Sequence, residues 1–186
     1  AETGCSDTLH IFVEGVQNVV VNASVILQGA YDGDTGIMRD ELREDSYLPT
    51  EEPYSGMANF EHVGGGGETT TGLVLAATGD DAIVDWVFLE LRSANDPAQV
   101  VATRSALVQR DGDVVDFDGV SDLTFTNAPA GPYYVVVRHR NHLGIMTASA
   151  LTVSDTIATA MDLTILATQV YQRTDSYGSS YARADV

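Results

Sequence analysis

Four aspartates stand within eight residues of the stretch RDGDVVDFDG, at positions 110–119. They are Asp111, Asp113, Asp116 and Asp118. Calcium prefers several oxygen ligands, and aspartates two residues apart can share one ion, so this stretch is a candidate calcium site. An EF-hand is excluded, because with Asp111 at the first loop position, Asp116 replaces the glycine that the sixth position requires. The alternative is a hairpin turn at Asp111 and Gly112, with the other aspartates as solvated edge charges that discourage strand pairing.

The hairpin is the favoured interpretation of this stretch, and calcium is the second. The same two interpretations apply to another acidic turn, YDGD at Tyr31–Asp34, where Asp32 and Asp34 are the candidate ligands. Loop carboxylates of this kind are mostly solvated, so calcium is less favoured here than at the first stretch. Calcium is therefore the one cofactor that the sequence offers.

Three histidines raise the question of a zinc site. His139 and His142 stand in RHRNHLG, residues 138–144, and His62 would supply a third imidazole. A His-x-x-His spacing at a strand end does not place both rings on one side, as a helix would, and no HExxH motif is present. We therefore expect these histidines and the neighbouring arginines to bond to loops or carboxylates.

No recognisable catalytic arrangement is present in the sequence, which has no GxSxG elbow, no Cys–His pair and no triad order. The glycine run Gly64–Gly67 lacks the lysine of a phosphate-binding loop, since all nine basic residues are arginines. It indicates a flexible or tightly packed loop instead. Carboxylates are available for a glycosidase, but nothing positions an acid against a base. We predict that the chain is not an enzyme, with a secreted hydrolase as the least favoured alternative.

The charge balance excludes several classes of partner. Nine arginines against 27 acidic residues give a net charge of −18, which repels nucleic-acid phosphates and anionic lipid surfaces. We also expect no membrane insertion, because no run of about 18 apolar residues is present. No signal sequence is recognisable, and we expect a secreted protein whose signal has been removed before Ala1.

The apolar pattern of the chain is typical of an all-β protein. Two-residue alternation and β-branched residues recur with turn residues at short intervals, which leaves little room for helix. The expected strands are Thr8–Val13, Val19–Gln28, Gly72–Ala77, Ala82–Ser93, Val100–Arg110, Leu123–Thr126, Tyr133–Arg140 and Ile145–Val153. We predict an antiparallel β-sandwich of about seven to nine strands, with Trp86, Phe88 and Leu91, or their alternating neighbours, in the core.

The chain divides into an N-terminal strand-forming extension, a sandwich domain and a C-terminal extension, at residues 1–21, 22–154 and 155–186. We expect Glu14–Asn18 to connect the first two strands as a hairpin. Inside the domain, Gly29–Glu68 is expected to be a long acidic surface loop with one or two helical turns at Gly36–Asp45.

A family resemblance begins at Leu123–Val137, LTFTNAPAGPYYVVV, which resembles the ending of prealbumin-like and Ig-like sandwich modules in bacterial surface proteins. Pro-Ala-Gly makes the turn, and the alternation after it inserts one row of side chains into the core. A wider resemblance over Val25–Val153 is carried by VILQGAYDGDTGIMRDELR, LPTEEPYSGM, HVGGGG, DAIVDWVFLELRS, RSALVQRDGDVVDFDG and YYVVVRHRNHLGIMT. These segments are similar to β-sandwich modules near the C-terminal ends of large secreted or cell-surface proteins of Bacteroidetes-type bacteria. The resemblance implies an extracellular location and an Ig-like or prealbumin-like fold.

Two further expectations concern the edges of this resemblance. Asp7–Leu9 and Asp155–Ile157 match an Asp-Thr-apolar pattern that resembles O-glycosylation acceptors of such bacteria, so Thr8 and Thr156 are candidate glycan sites. The first 20 residues lie outside the family pattern, and the Asp-rich repeats and sorting domain that usually follow these modules are not seen.

The favoured function is a non-enzymatic extracellular structural protein, a subunit of a surface filament, appendage or adhesin. Asp7–Val21 and Met161–Tyr181 are strand-forming, and pairing one copy's terminal strand with the next copy's edge would give a head-to-tail homopolymer. Cys5 has no second cysteine in its chain, so it is a free thiol or a disulfide link between subunits. The alternative is a carbohydrate-binding module of a large secreted protein, with a glycan held by aromatic residues of the long loop. Those aromatics, which would otherwise cap the core, are Tyr31, Tyr47, Tyr54 and Phe60.

Overall fold

The computed structural model describes residues 17–165, 170–174 and 180–182 of the chain. The first strands are β1 (Asn18–Ser24), β2 (Tyr31–Asp32), β3 (Ile37–Met38), β4 (Ile83–Ser93), β5 (Val100–Gln109), β6 (Asp113–Val115) and β7 (Leu123–Thr126). The later strands are β8 (Gly131–His139), β9 (His142–Met146), β10 (Leu151–Val153), β11 (Thr159–Asp162), β12 (Gln172–Thr174) and β13 (Ser180–Ala182). Helix is limited, within these ranges, to α1 (Glu41–Glu44), α2 (Gly72–Leu75) and a 3-10 turn at Tyr54–Gly56.

Nine of the described strands form one sheet in the order β10-β8-β4-β5-β6-β1-β11, with β7 paired to β1 and β9 paired to β8. The pair β1–β11 is parallel, and the other pairs among the described strands are antiparallel. A bridge between Val20 and Ser154 brings the end of β10 back to β1, so the sheet curls around one apolar core. The protein is therefore the all-β, antiparallel, sandwich-like fold that the alternation predicts. The sheet reaches beyond residues 22–154 on both sides, through β1 and β11.

The central strand β4 is buried on both faces, which explains its almost continuously apolar sequence. Val87 and Leu89 point into the core that the sheet encloses, together with Leu91. Trp86 and Phe88 point to the opposite face and are also fully buried. The prediction that Trp86, Phe88 and Leu91 are core residues is confirmed, although they serve two separate clusters.

The outer face of β4 is covered by the segment between β1 and β4, residues 25–82, which we call the excursion. Tyr54 is fully buried against Phe88, and its hydroxyl donates to the carbonyl of Trp86 at 2.7 Å. The indole Nε1 of Trp86 donates in return to the carbonyl of Pro49 at 2.9 Å. The expectation of a long surface loop at Gly29–Glu68 is therefore wrong for its middle part. Burial of its aromatic side chains on the sheet stabilises this part of the chain, although its many turn residues predict an exposed loop.

Two local expectations had different outcomes. The predicted helical turn in residues 36–45 is confirmed as α1. The predicted strand at Gly72–Ala77 is wrong, because this segment forms α2, and the hydroxyl of Thr71 caps the helix by accepting the amide of Val74 at 3.3 Å. A local cap of this kind outweighs the β-propensity of a short run such as GLVL.

Among the remaining predicted strands, Leu123–Thr126 matches β7, and the others in the described residues match the sheet with shifted ends. Val19–Gln28 stops early, since β1 ends at Ser24, and Ile145–Val153 is divided into the end of β9 and β10. Thr8–Val13 lies outside the described residues. No helix in the described part of the chain is long and apolar enough to cross a membrane.

Candidate functional site

The stretch RDGDVVDFDG forms the hairpin between β5 and β6, so the favoured interpretation of its first half is confirmed. Leu107 pairs with Val115 across the hairpin, and the amide of Gly112 closes the turn on the carbonyl of Gln109 at 3.0 Å. Gly112 adopts a φ of 103°, which a side chain would strain, so the turn needs glycine at this position.

The four aspartates of this stretch bond to separate groups of the chain, and the expectation of solvated edge charges is wrong for Asp116, which is buried. Asp111 accepts a hydrogen bond from the Asp113 amide at 3.1 Å, and Asp113 accepts one from the Ser24 hydroxyl at 3.0 Å. Asp116 accepts a hydrogen bond from the Arg104 guanidinium at 2.5 Å, and Asp118 accepts one from the Ser121 hydroxyl at 2.5 Å. In the part of the chain that the structure describes, no three His, Cys, Asp or Glu side chains are grouped to hold a metal ion. Calcium binding at this turn stays a prediction, which a metal titration tests.

The second acidic turn connects β2 to β3. The amide of Asp34 donates to Asp32 Oδ1 at 3.0 Å, and this hydrogen bond, together with that of Thr35, lowers the pKa of Asp32. Asp34 itself is exposed. The turn is thus stabilised by its own side chain, and calcium binding at Asp32 and Asp34 likewise stays a prediction.

The strongest polar arrangement is a pair of histidines at one end of the sandwich. His139 ends β8 and His142 begins β9, and a two-residue turn makes them direct cross-strand partners, next to a bulge after Val137. Their ring centroids lie 4.7 Å apart. The expectation that this spacing separates the two rings is wrong, because the tight hairpin and the bulge rotate both onto one side. The expectation of a carboxylate partner is confirmed, since His139 Nε2 lies 3.1 Å from Asp85 Oδ2.

One pattern of protons satisfies the whole pair. His142 Nε2 accepts the amide of Gly29 at 3.1 Å, so the proton of this imidazole is on Nδ1. That Nδ1 donates to His139 Nδ1 at 2.8 Å, and the amide of Asn141, at 3.1 Å, shares the single lone pair of this atom. His139 therefore carries its own proton on Nε2 and donates it to Asp85. Two neutral imidazoles connect the Gly29 amide to a buried carboxylate.

The charges around the pair keep this pattern at neutral pH. Burial raises the pKa of Asp85, but hydrogen bonds from His139 and the charge and hydrogen bond of Arg140, at 2.7 Å, outweigh it and lower that pKa. Burial lowers the pKa of His142 and outweighs the negative charge of Asp85, which acts in the opposite direction. Asp85 is therefore an anion near pH 7, and His142 is neutral.

Two cavities lie on either side of the histidine pair. A cavity of about 380 Å³ is bounded by Leu42 and Val84 and by the Arg39 side chain. A second, of about 260 Å³, is bounded by apolar residues that include Ile26 and Ile145. Both cavities share the wall formed by Leu27, His139 and His142. The described residues that line them include no serine, threonine or cysteine that would act as a nucleophile.

The glycine run Gly64–Gly67 encloses a second buried polar cluster. Glu52 accepts the amides of Tyr54 at 2.7 Å and Gly67 at 3.1 Å. Burial raises the pKa of Glu52, and the Ser55 hydroxyl together with these amides lowers it by more. A Cβ atom on Gly65 would stand 2.5 Å from the carbonyl of Thr103. Of the two predicted alternatives, a flexible or a tightly packed loop, the second is therefore the one observed. His62 belongs to this cluster, with Nε2 3.6 Å from Glu52, and not to the His139–His142 pair.

A third cluster fastens the excursion to β4 and β8. Glu90 is 2% exposed and is bound by Arg92 at 2.7 Å and by Arg138 at 2.8 Å. Arg138 also donates to the carbonyl of Asn59 at 2.8 Å and lies 4.4 Å from the ring centre of Phe60. One guanidinium thus joins a buried carboxylate of the sheet to the backbone and an aromatic ring of the excursion.

The aromatic residues of the long loop do not form one surface. Tyr31 and Tyr47 are 44% and 73% exposed, whereas Tyr54 is fully buried. Phe60 packs against Tyr54 and Phe88, with ring centroids 4.6 and 5.3 Å away. Two of the four aromatics therefore cap the core, which was the other interpretation of this set, and a glycan ligand stays a prediction.

The modification sites fall in different places. Thr156 is exposed in the turn between β10 and β11, where Ser154 Oγ accepts its amide at 3.1 Å, and a glycan at this residue stays a prediction. Thr8 and Cys5 lie outside the described residues, so the second glycan site and the disulfide stay predictions.

Sequence reasoning missed the buried carboxylates that organise these clusters. Asp85 and Glu90 are acidic residues inside the apolar run IVDWVFLEL, and an acidic residue in a buried strand needs a partner. That signal was available for both. Comparison with family models, curated proteins and solved structures finds no match for the chain, so the histidine pair and its two cavities are identified by their geometry alone.

Proposed function

We propose that the chain is a non-enzymatic extracellular structural protein, a subunit of a surface filament or adhesin that assembles through its terminal β-strands. The observation that carries the proposal is the pairing of β1. Val20 pairs with Thr124 of β7 on one edge and with Ser154 on the other. Val21 likewise lies between Leu123 and Thr159.

The rest of β1 is enclosed in the same way. Ala23 pairs with Val114 of β6 on one side and with Met161 of β11 on the other. A hairpin between Thr8–Val13 and β1 would need one of these two edges, and both are occupied. A strand-forming N-terminal segment therefore needs an edge elsewhere, and the edge of a second copy provides one.

The buried charges support a structural role. Glu52, Glu90 and Asp116 are each nearly inaccessible and are each bonded by groups of the chain itself. Buried charges persist only when they are paired and hydrogen-bonded, and these pairs join the excursion and the loop after β6 to the sheet. Such closed clusters favour a rigid building block over a site that offers its charges to a substrate.

A point substitution tests the assembly without removing any residue. Proline cannot donate a backbone hydrogen bond in a strand ladder, so Ile11→Pro should abolish pairing by the predicted strand Thr8–Val13. Ser6→Pro, just before that strand, is the matched control. Electron microscopy of the purified chains should show polymers for the unsubstituted and S6P chains and none for I11P. Polymers of I11P would exclude this segment as the connector, and their absence from all three chains would refute the filament proposal.

A further inference from the structure

The histidine pair lies between two cavities. The hydrogen bond that joins it to the turn at Gly29 depends on the protonation state of His142. His142 Nε2 is an acceptor only while it carries no proton, and the Gly29 amide that it accepts lies at 3.1 Å. A Cβ atom at Gly29 would stand 2.9 Å from the same Nε2, so the turn and the ring are in tight contact. A proton on Nε2 would place two donors face to face and break this hydrogen bond.

No alternative proton arrangement keeps all the hydrogen bonds. His139 Nδ1 already accepts two donors, so a proton there would break the bonds from His142 and from Asn141. His139 Nε2 already donates to Asp85. A third proton on the pair therefore costs at least one hydrogen bond, and losing the Gly29 bond disturbs the fewest groups.

The charged groups around His142 come from several elements. Asp85 of β4 is the anion of the site, and Arg140 in the hairpin turn neutralises it at 2.7 Å. Arg39 and Glu41 face the larger cavity from the excursion, and Arg138 of β8 lines the smaller one. The segment VILQGA, residues 25–30, adds no charged side chain. Glu41 is paired with Arg39 at 3.2 Å, which offsets its charge, and burial disfavours an imidazolium at His142.

The turn that His142 holds is fastened to a larger unit. Its amides at Ala30 and Tyr31 close onto the carbonyl of Leu27 at 2.9 and 3.1 Å. The Arg39 guanidinium donates to the carbonyl of Gly29 at 3.2 Å, so the turn and the next segment of the excursion move together. Leu27, which begins the turn, belongs to the shared wall of both cavities.

We propose that His142 is an acid-sensitive clamp between the β8–β9 hairpin and the turn at residues 27–31, and that its protonation frees the turn and joins the two cavities. The direction of the pH dependence follows from linkage. The native state lowers the pKa of His142 from its ordinary value of 6.5, so the clamp is complete above pH 6.5 and is lost progressively as the pH falls toward the folded pKa. The proposal does not depend on filament assembly.

Hydrogen–deuterium exchange of the full chain, followed by mass spectrometry, tests the clamp. Exchange at the imidazole C2 positions reports when His142 titrates, and exchange of the amides at 27–31 reports release of the turn. Below pH 6.5, and after correction for the intrinsic exchange rate, protection at 27–31 should fall about tenfold per pH unit until the folded pKa is reached. The amides at 102–107 in β5 should keep their protection over the same range.

Two variants separate the clamp from a general loss of stability. His142→Gln keeps an acceptor for the Gly29 amide without titrating in this range, so protection at 27–31 should become independent of pH. His62→Gln alters a partly buried histidine outside the pair and should respond as the unsubstituted chain does. If H142Q does not fold, the unsubstituted chain still tests the proposal, because protection should fall with pH at the amides of 27–31 and not at those of 102–107. Unchanged protection at 27–31 while His142 titrates, or the same pH response in H142Q, would overturn the proposal.

Discussion

Replacement of Glu90 by glutamine measures how firmly the excursion is fastened to the sheet. Glu90 is 2% exposed, and each of its carboxylate oxygens is bound by a different arginine. Removing one partner of a buried ion pair costs about 3–5 kcal/mol, and we expect about 3 kcal/mol for E90Q because glutamine keeps the shape and one acceptor oxygen. For a chain of 186 residues this free energy lowers Tm by about 6–12 °C.

The matched control is Glu41→Gln, which breaks an ion pair with Arg39 on the surface. The side chains of Arg39 and Glu41 are 50% and 66% exposed, so this variant should lose less than about 1 kcal/mol. Urea unfolding can follow two signals, far-UV circular dichroism for the sheet and the fluorescence of Trp86, the one tryptophan. Trp86 bonds to Pro49 of the excursion, so its fluorescence also reports whether the excursion is released first. If E90Q and E41Q unfold at the same urea concentration, the cluster does not fasten the excursion.

Three further predictions concern acid stability, metal and modification. The native state lowers the pKa of Asp85, so its carboxylate adds stability above pH 3.8 that is lost as the pH falls through the folded pKa. In Asp85→Asn, the free energy of unfolding should therefore depend less steeply on pH below pH 3.8. An unchanged dependence on pH would contradict this role. Because each aspartate of the acidic hairpin has its own donor within the chain, Tm should be the same in EDTA and in calcium. A rise of Tm with calcium would instead support the calcium site. Material from the native source should carry a glycan at exposed Thr156 that Thr156→Ala removes, and an intact mass equal to that of the bare chain would rule the glycan out.

The strands β4, β5, β7 and β8 were predictable because apolar and β-branched runs are bounded there by turn residues, whereas β6 was not predicted as a strand. Asp111 and Gly112 end β5 as expected, and the predicted strand Leu123–Thr126 matches β7 at both ends. These features depend on neighbours within a few residues, which a sequence displays directly.

The excursion was not predictable to the same degree, because its structure depends on contacts distant in sequence. Tyr54 is buried, and Phe60 partly buried, because Phe88, about thirty residues later, offers them a face of the sheet. The apolar run of β4 was the available signal, since a strand without alternation is buried on both faces. The His139–His142 pair depends on a bulge, and spacing alone does not reveal one.

Sedimentation velocity of the full chain beside a chain of residues 17–186 tests the proposed assembly most directly. The shorter chain keeps β1 with both of its edges occupied, so its fold should be unchanged, and its sedimentation coefficient should be that of a monomer at every concentration. The full chain should form species whose size increases with concentration. A full chain that stays monomeric at high concentration, or a shorter chain that assembles as well as the full one, would contradict the account.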